Sequence, residues 1–165
     1  MCKTRLGWRI LVGVVALFNM QMSHSANAVV VTTCTVSTPS SMVFNTNLLI
    51  GLQSTTSFLL NCTVTGTNGN AKITIDLSAG NSGSVLQRNQ KQGATSVLTY
   101  NLYQDSGYTN PWGNTTSNQY SQIVTANIVN QTLTIYGKID STTANQSQSI
   151  GTYSDPIITA TVTWP

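Results

Sequence analysis

Apolar side chains in this sequence return on every second residue, and that period constrains the fold more than any other feature. Phe58, Leu60, Cys62 and Val64 share one face of a segment, as do Ile73, Ile75 and Leu77, and then Leu98, Tyr100 and Leu102. Leu133, Ile135 and Ile139 continue the pattern with Gly137 between them. The last segment repeats it with Ile158, Ala160, Val162 and Trp164, while Thr159, Thr161 and Thr163 look the other way. A period of two belongs to a strand whose side chains alternate between sheet faces, whereas a helix needs apolar residues three and four apart. No segment keeps helical spacing for more than a turn or two, and β-branched Thr, Val and Ile fill the runs, so helices are not expected. Breaks such as Gly66-Thr67-Asn68-Gly69-Asn70 and Gly80-Asn81-Ser82-Gly83 fall between the runs as turns do. Each one-sided face needs a second sheet to cover it. The expectation is therefore all-β: an immunoglobulin-like antiparallel β-sandwich in a single domain.

The N-terminus reads differently. Lys3, Arg5 and Arg9 precede an apolar run from Ile10 to Phe18, a polar stretch from Gln21 to Asn27 follows, and the small-residue pattern Ala26-Asn27-Ala28 closes it. The run is too short for a permanent membrane span, so residues 1–28 are expected to be a secretory signal peptide cleaved after Ala28, leaving a domain over 29–165. Cleavage removes Cys2 and His24 with three of the basic residues. Lys72, Arg88, Lys91 and Lys138 then balance Asp76, Asp105, Asp140 and Asp155, and the +3 charge of the whole chain disappears. A chain without a basic stripe cannot neutralise a run of phosphates, which argues against nucleic acid as a partner. Cys34 and Cys62 remain as an even pair in an oxidising compartment, where a disulfide is expected. Two thiols without histidine cannot complete a tetrahedral zinc site.

Residues for chemistry are scarce. The mature chain has neither histidine nor glutamate, so its many hydroxyls lack an activating base, and its four aspartates are scattered. Asp105 and Asp155 are expected at strand or turn boundaries, bonded to their own backbone. The Gly80–Gly83 segment lacks the lysine of a phosphate loop, and no EF-hand spacing occurs. No catalytic residue, cofactor or metal is expected. Tyr103, Tyr108, Trp112 and Tyr120 gather in one loop-rich stretch beside Asn110 and Asn114. Tyr108 and Trp112 are candidates to contact a sugar or another subunit, against the plainer reading that Tyr103 and Trp112 fill the end of the sandwich.

Cys34-Thr35-Val36, Val43-Phe44, Leu60-Asn61-Cys62, the run from Leu98 to Asp105, Trp112-Gly113, Tyr136-Gly137-Lys138-Ile139 and Gly151-Thr152-Tyr153-Ser154-Asp155 carry a resemblance across nearly the whole mature chain. In that order they resemble the spore coat protein U domain, which includes pilin subunits of archaic chaperone-usher pili. The resemblance implies an incomplete sandwich with one edge strand missing. A periplasmic chaperone would fill the gap first, an outer-membrane usher would export the subunit, and a neighbouring pilin subunit would then donate a strand. Ile158, Ala160, Val162 and Trp164 would line the open groove, and Val29, Val30 and Val31 would form this chain's own donor segment. Only Val29 to Thr33 precede Cys34, about 17 Å of strand, shorter than the family's polymerising subunits usually carry. Asn45 also stands after Phe44 where the family commonly has glycine. The implied role is a subunit of a surface fibre serving adhesion and biofilm formation, as readily minor, tip-proximal or terminating as major. A spore or cyst coat component and a secreted carbohydrate-binding adhesin module are the alternatives.

Overall fold

The computed structural model describes residues 28–39, 42, 44, 51–148, 153–155 and 158–165. The expected signal peptide up to residue 27, and the resemblance residues Val43, Asn45, Gly151 and Thr152, lie outside them. Eight strands follow one another: β1 (Val30–Val36), β2 (Leu52–Thr65), β3 (Ala71–Leu77), β4 (Arg88–Gln92), β5 (Ser96–Tyr103), β6 (Tyr120–Val124), β7 (Ile128–Ile139) and β8 (Ala160–Thr163). They form a five-stranded sheet in the order β1-β2-β7-β5-β4 and a three-stranded sheet in the order β6-β3-β8. All ladders between these strands are antiparallel.

The inward rows are those that the alternation marks. Phe58, Leu60 and Cys62 of β2, Ile73, Ile75 and Leu77 of β3, Leu98, Tyr100 and Leu102 of β5, and Leu133, Ile135 and Ile139 of β7 are all buried in one cluster. Gly137 interrupts the β7 row for a steric reason. A Cβ there would stand 2.8 Å from Cζ of Phe44 and would also strike Met42. The missing side chain lets Met42 and Phe44 lie over the inner face of the wider sheet, where Phe44 meets Tyr100 edge-on at 6.2 Å. Met42 and Phe44 thus cover part of that face around Gly137.

Cys34 and Cys62 stand opposite each other in the β1–β2 ladder and are bonded. The bond ties a short N-terminal strand to the longest one, and a closed loop of 28-residue separation confers about 3 to 4 kcal/mol in the chain-entropy description. Replacing both cysteines with serine is expected to remove most of that, read as a lower urea midpoint with a somewhat steeper slope, because the uncrosslinked denatured chain exposes more surface.

One helical turn, Thr143–Gln146, departs from the strand-only expectation. Thr142 Oγ1 accepts from the Asn145 amide, and the buried Asn145 side chain accepts from Thr99 N and donates to the carbonyls of Thr99 and Asp140. Its amide therefore does for Thr99 what a neighbouring strand's backbone would. Sheet edges are treated unequally. Lys91 of edge strand β4 exchanges both backbone hydrogen bonds with Ser154, so that edge is partly covered.

Candidate strand-binding edge and its support

Strand β8 runs along β3, with Ala160 opposite Leu77, Thr161 opposite Asp76, Val162 opposite Ile75 and Thr163 opposite Thr74. Among the described residues no strand pairs with its other side. Ile158, Ala160, Val162 and Trp164 lean onto the core yet stay half-buried, whereas the adjacent row of Ile73, Ile75 and Leu77 is wholly enclosed. Thr159, Thr161 and Thr163 are exposed. An apolar row that is half-covered beside one that is sealed is what a sheet short of a strand presents. The N–H and C=O groups on that side, unpaired among the described residues, can pair an incoming segment while alternate side chains fill the gap. The nearest edge of the facing sheet is β1.

The approach to β8 is held in place. Ser78 N donates to Thr159 O at 3.0 Å, and Thr159 N donates back to Ser78 Oγ at 2.9 Å. Beneath them lies Arg88, fully buried. Its Nε donates to Ser78 O, Nη1 to Val85 O and to Asn101 Oδ1, and Nη2 to Leu77 O and Trp112 O, at 2.7–3.2 Å. The guanidinium has five N–H groups, and here five acceptors meet them. Burial pulls its pKa down to about 10, with the nearby Tyr100 and Asp155 acting in the opposite direction, so it stays protonated at neutral pH. Tyr100 donates its hydroxyl to Asp155 at 2.9 Å, and burial, followed by the charge of Asp155, pushes the phenol well above its ordinary range.

Asp155 also reaches across the chain. Besides the Tyr100 hydroxyl, it accepts from Asn81 N and Nδ2, while Gly151, Thr152, Pro156 and Ile157 beside it lie outside the described residues. Gly80, at φ +60°, makes this approach possible, since a Cβ there would lie 2.7 Å from the carboxyl carbon. Asp105 does bond locally. It accepts from the amides of Thr109 and Asn110, and these bonds, the Asn110 one foremost, hold its carboxyl below the usual range. The sequence reading counted Arg88 only as a charge and missed its role. No sequence signal marks it, since arginine is ordinarily an exposed residue.

The two aromatic candidates separate. Trp112 is 1 % exposed, donates Nε1–H to Ile75 O at 2.9 Å, and packs against Phe58 and Tyr120. A ring enclosed on this scale has no face for a ligand, so Trp112 is corrected from candidate contact to core. Tyr108 is half-buried on the loop after β5, at φ 57°, between Tyr103 and Tyr136, with Lys138 above its ring and Asp140 paired to that lysine at 3.0 Å. The candidate donor residues Val29, Val30 and Val31 lie at or in β1. Val29 and Val31 are buried in the chain's own core, while Val30 is exposed.

Among the described residues no three of His, Cys, Asp and Glu come together as a metal site, and no helix is long and apolar enough to cross a membrane. Residues 18–162 match the family model of the Spore Coat Protein U domain. No curated protein matches the chain.

Proposed function

Because the chain belongs to the spore coat protein U family, whose members are pilus-type structural subunits, we propose that it is a non-catalytic subunit of a surface fibre of the archaic chaperone-usher kind. It is exported through the periplasm and completed by a strand from a partner. The observation that carries this reading is the side of β8 that no strand pairs among the described residues, with its half-buried row of Ile158, Ala160, Val162 and Trp164. An edge of that kind is a template for aggregation until another strand covers it, which gives a chaperone its purpose in transit and a neighbouring subunit its purpose in the fibre. Adhesion and biofilm formation then follow from the assembly rather than from a site on the subunit.

Expression in the periplasm with and without a cognate chaperone tests this. The chain alone is expected to aggregate or be degraded, and co-expression is expected to yield a soluble one-to-one complex. A subunit that accumulates as a stable, soluble monomer without any partner would defeat the proposal.

A further inference from the structure

The residues ahead of Cys34 are already in use, and this bears on which polypeptide can supply the missing strand. Val29 N donates to Asn68 O at 3.0 Å, and Ala28 bridges Asn68. Val30 and Val31 pair with Thr65 and Val64, Thr33 pairs with Thr63, and Thr32 Oγ1 donates to Thr63 O. Val29 at 7 % and Val31 at 3 % exposure are core residues. Cys34, where this segment begins, is fixed by its bond to Cys62.

We propose that the strand completing β8 comes from a different polypeptide, and that this chain accepts a strand without donating one. The inference rests on the strand-acceptor reading above and on cleavage after Ala28. Two independent arguments support it. The first is reach: Val29 to Thr33 span at most about 17 Å from a fixed Cys34, whereas the row from Ile158 to Trp164 extends over about 20–23 Å of strand. Some of that reach is also consumed in crossing between molecules. The second is driving force. If one copy gave Val29 and Val31 to another, it would empty its own core to fill its neighbour's, so apolar burial gains nothing in the exchange. The fitting partner carries a free arm of seven or more residues, with aliphatic side chains at alternate positions and none charged on that face, because the β8 row itself is wholly apolar. A subunit of this kind ends a fibre.

The test uses the full chain processed and purified from the periplasm as its one-to-one complex with a co-expressed chaperone, with mass spectrometry to identify its first residue. A synthetic nonapeptide of alternating valine and threonine is the probe. The expected result is Val29 at the N-terminus, displacement of the chaperone by saturating peptide with a rise of about 5 °C or more in the melting temperature of the subunit, and no ladder of detergent-resistant multimers when the complex is incubated without peptide. Inserting a similar nine-residue segment between Ala28 and Val29 is expected to create the ladder. A ladder from the unaltered chain, an N-terminus several residues upstream, or an extended variant that binds peptide but stays monomeric would each overturn this inference while leaving strand acceptance standing. Failure of the peptide to bind, with no ladder from either form, would overturn both.

Discussion

Replacing Arg88 with methionine is expected to be among the most destabilising single substitutions in the described part of the chain. Methionine fills much of the same volume but carries no donor. The carbonyls of Leu77, Ser78, Val85 and Trp112 and the Asn101 side chain would then lose the guanidinium together. A buried acceptor left without a partner costs about 1–3 kcal/mol, and several lose theirs here at once. A loss of about 4 kcal/mol corresponds to a fall of roughly 15 °C in melting temperature for a domain of this length. Against a total of about 5–15 kcal/mol for a folded domain, that is enough to endanger folding altogether. Lysine should recover only part of the loss, because one ammonium has three donors and cannot reach acceptors spread around a planar fork. The measurement is thermal and urea unfolding of the wild type, Arg88→Lys and Arg88→Met as chaperone-free protein stabilised by a bound strand peptide. Similar melting temperatures for Arg88→Met and the wild type would refute the structural role given to this side chain.

Arg88 also marks where the sequence stops being informative. The β-sandwich is legible because burial on one face of a strand imposes a period of two, and every row named from that period lies on the core. The final row is the instructive case. Ile158, Ala160, Val162 and Trp164 alternate as cleanly as Ile73, Ile75 and Leu77 do, yet they are only half-buried. Alternation records which face a side chain takes, and it cannot record whether the chain itself supplies the cover. The disulfide was legible from the count of cysteines once residues 1–28 are set aside as an expected leader.

What was hidden depends on partners without a sequence signature. Backbone carbonyls at the ends of β3 and after Trp112 are available at every residue type, so nothing in the letters announces that they converge on one guanidinium. Asp155 accepts from Asn81 and Tyr100 far along the chain, and Gly80, 75 positions earlier at φ +60°, leaves room for its carboxylate, a contact that no local motif announces. The helical turn at Thr143–Gln146 is shorter than any window in which a 3.6-residue period could be read. Gly137 was noted as a gap in an apolar row, and only the position of Met42 and Phe44 explains it.

Trp112→Ala provides the second large effect, and it separates a structural side chain from a recognition site. Truncating a buried tryptophan typically costs about 3–5 kcal/mol through lost contacts and the cavity left behind. Here the indole also leaves Ile75 O without its donor and removes the ring held between Phe58 and Tyr120. Trp112→Phe keeps an aromatic ring and loses the N–H, so it should fall between the two, about 1–2 kcal/mol below the wild type. If the aromatic loop bound a glycan through Trp112, the alanine variant would stay folded and lose affinity. Burial at 1 % exposure predicts the reverse order: a lower melting temperature first, with any loss of binding following the fraction unfolded. Tyr108→Ala supplies the contrast, since its half-buried ring sits on the surface with Tyr103, Tyr136 and Lys138. Its removal should change stability by less than about 1 kcal/mol, in the range of most surface substitutions and weak aromatic pairs. Unfolding curves for the three variants, alongside binding to a glycan array at a temperature where all remain folded, decide the matter. A fully folded Trp112→Ala variant with wild-type stability would show that the ring is not part of the core.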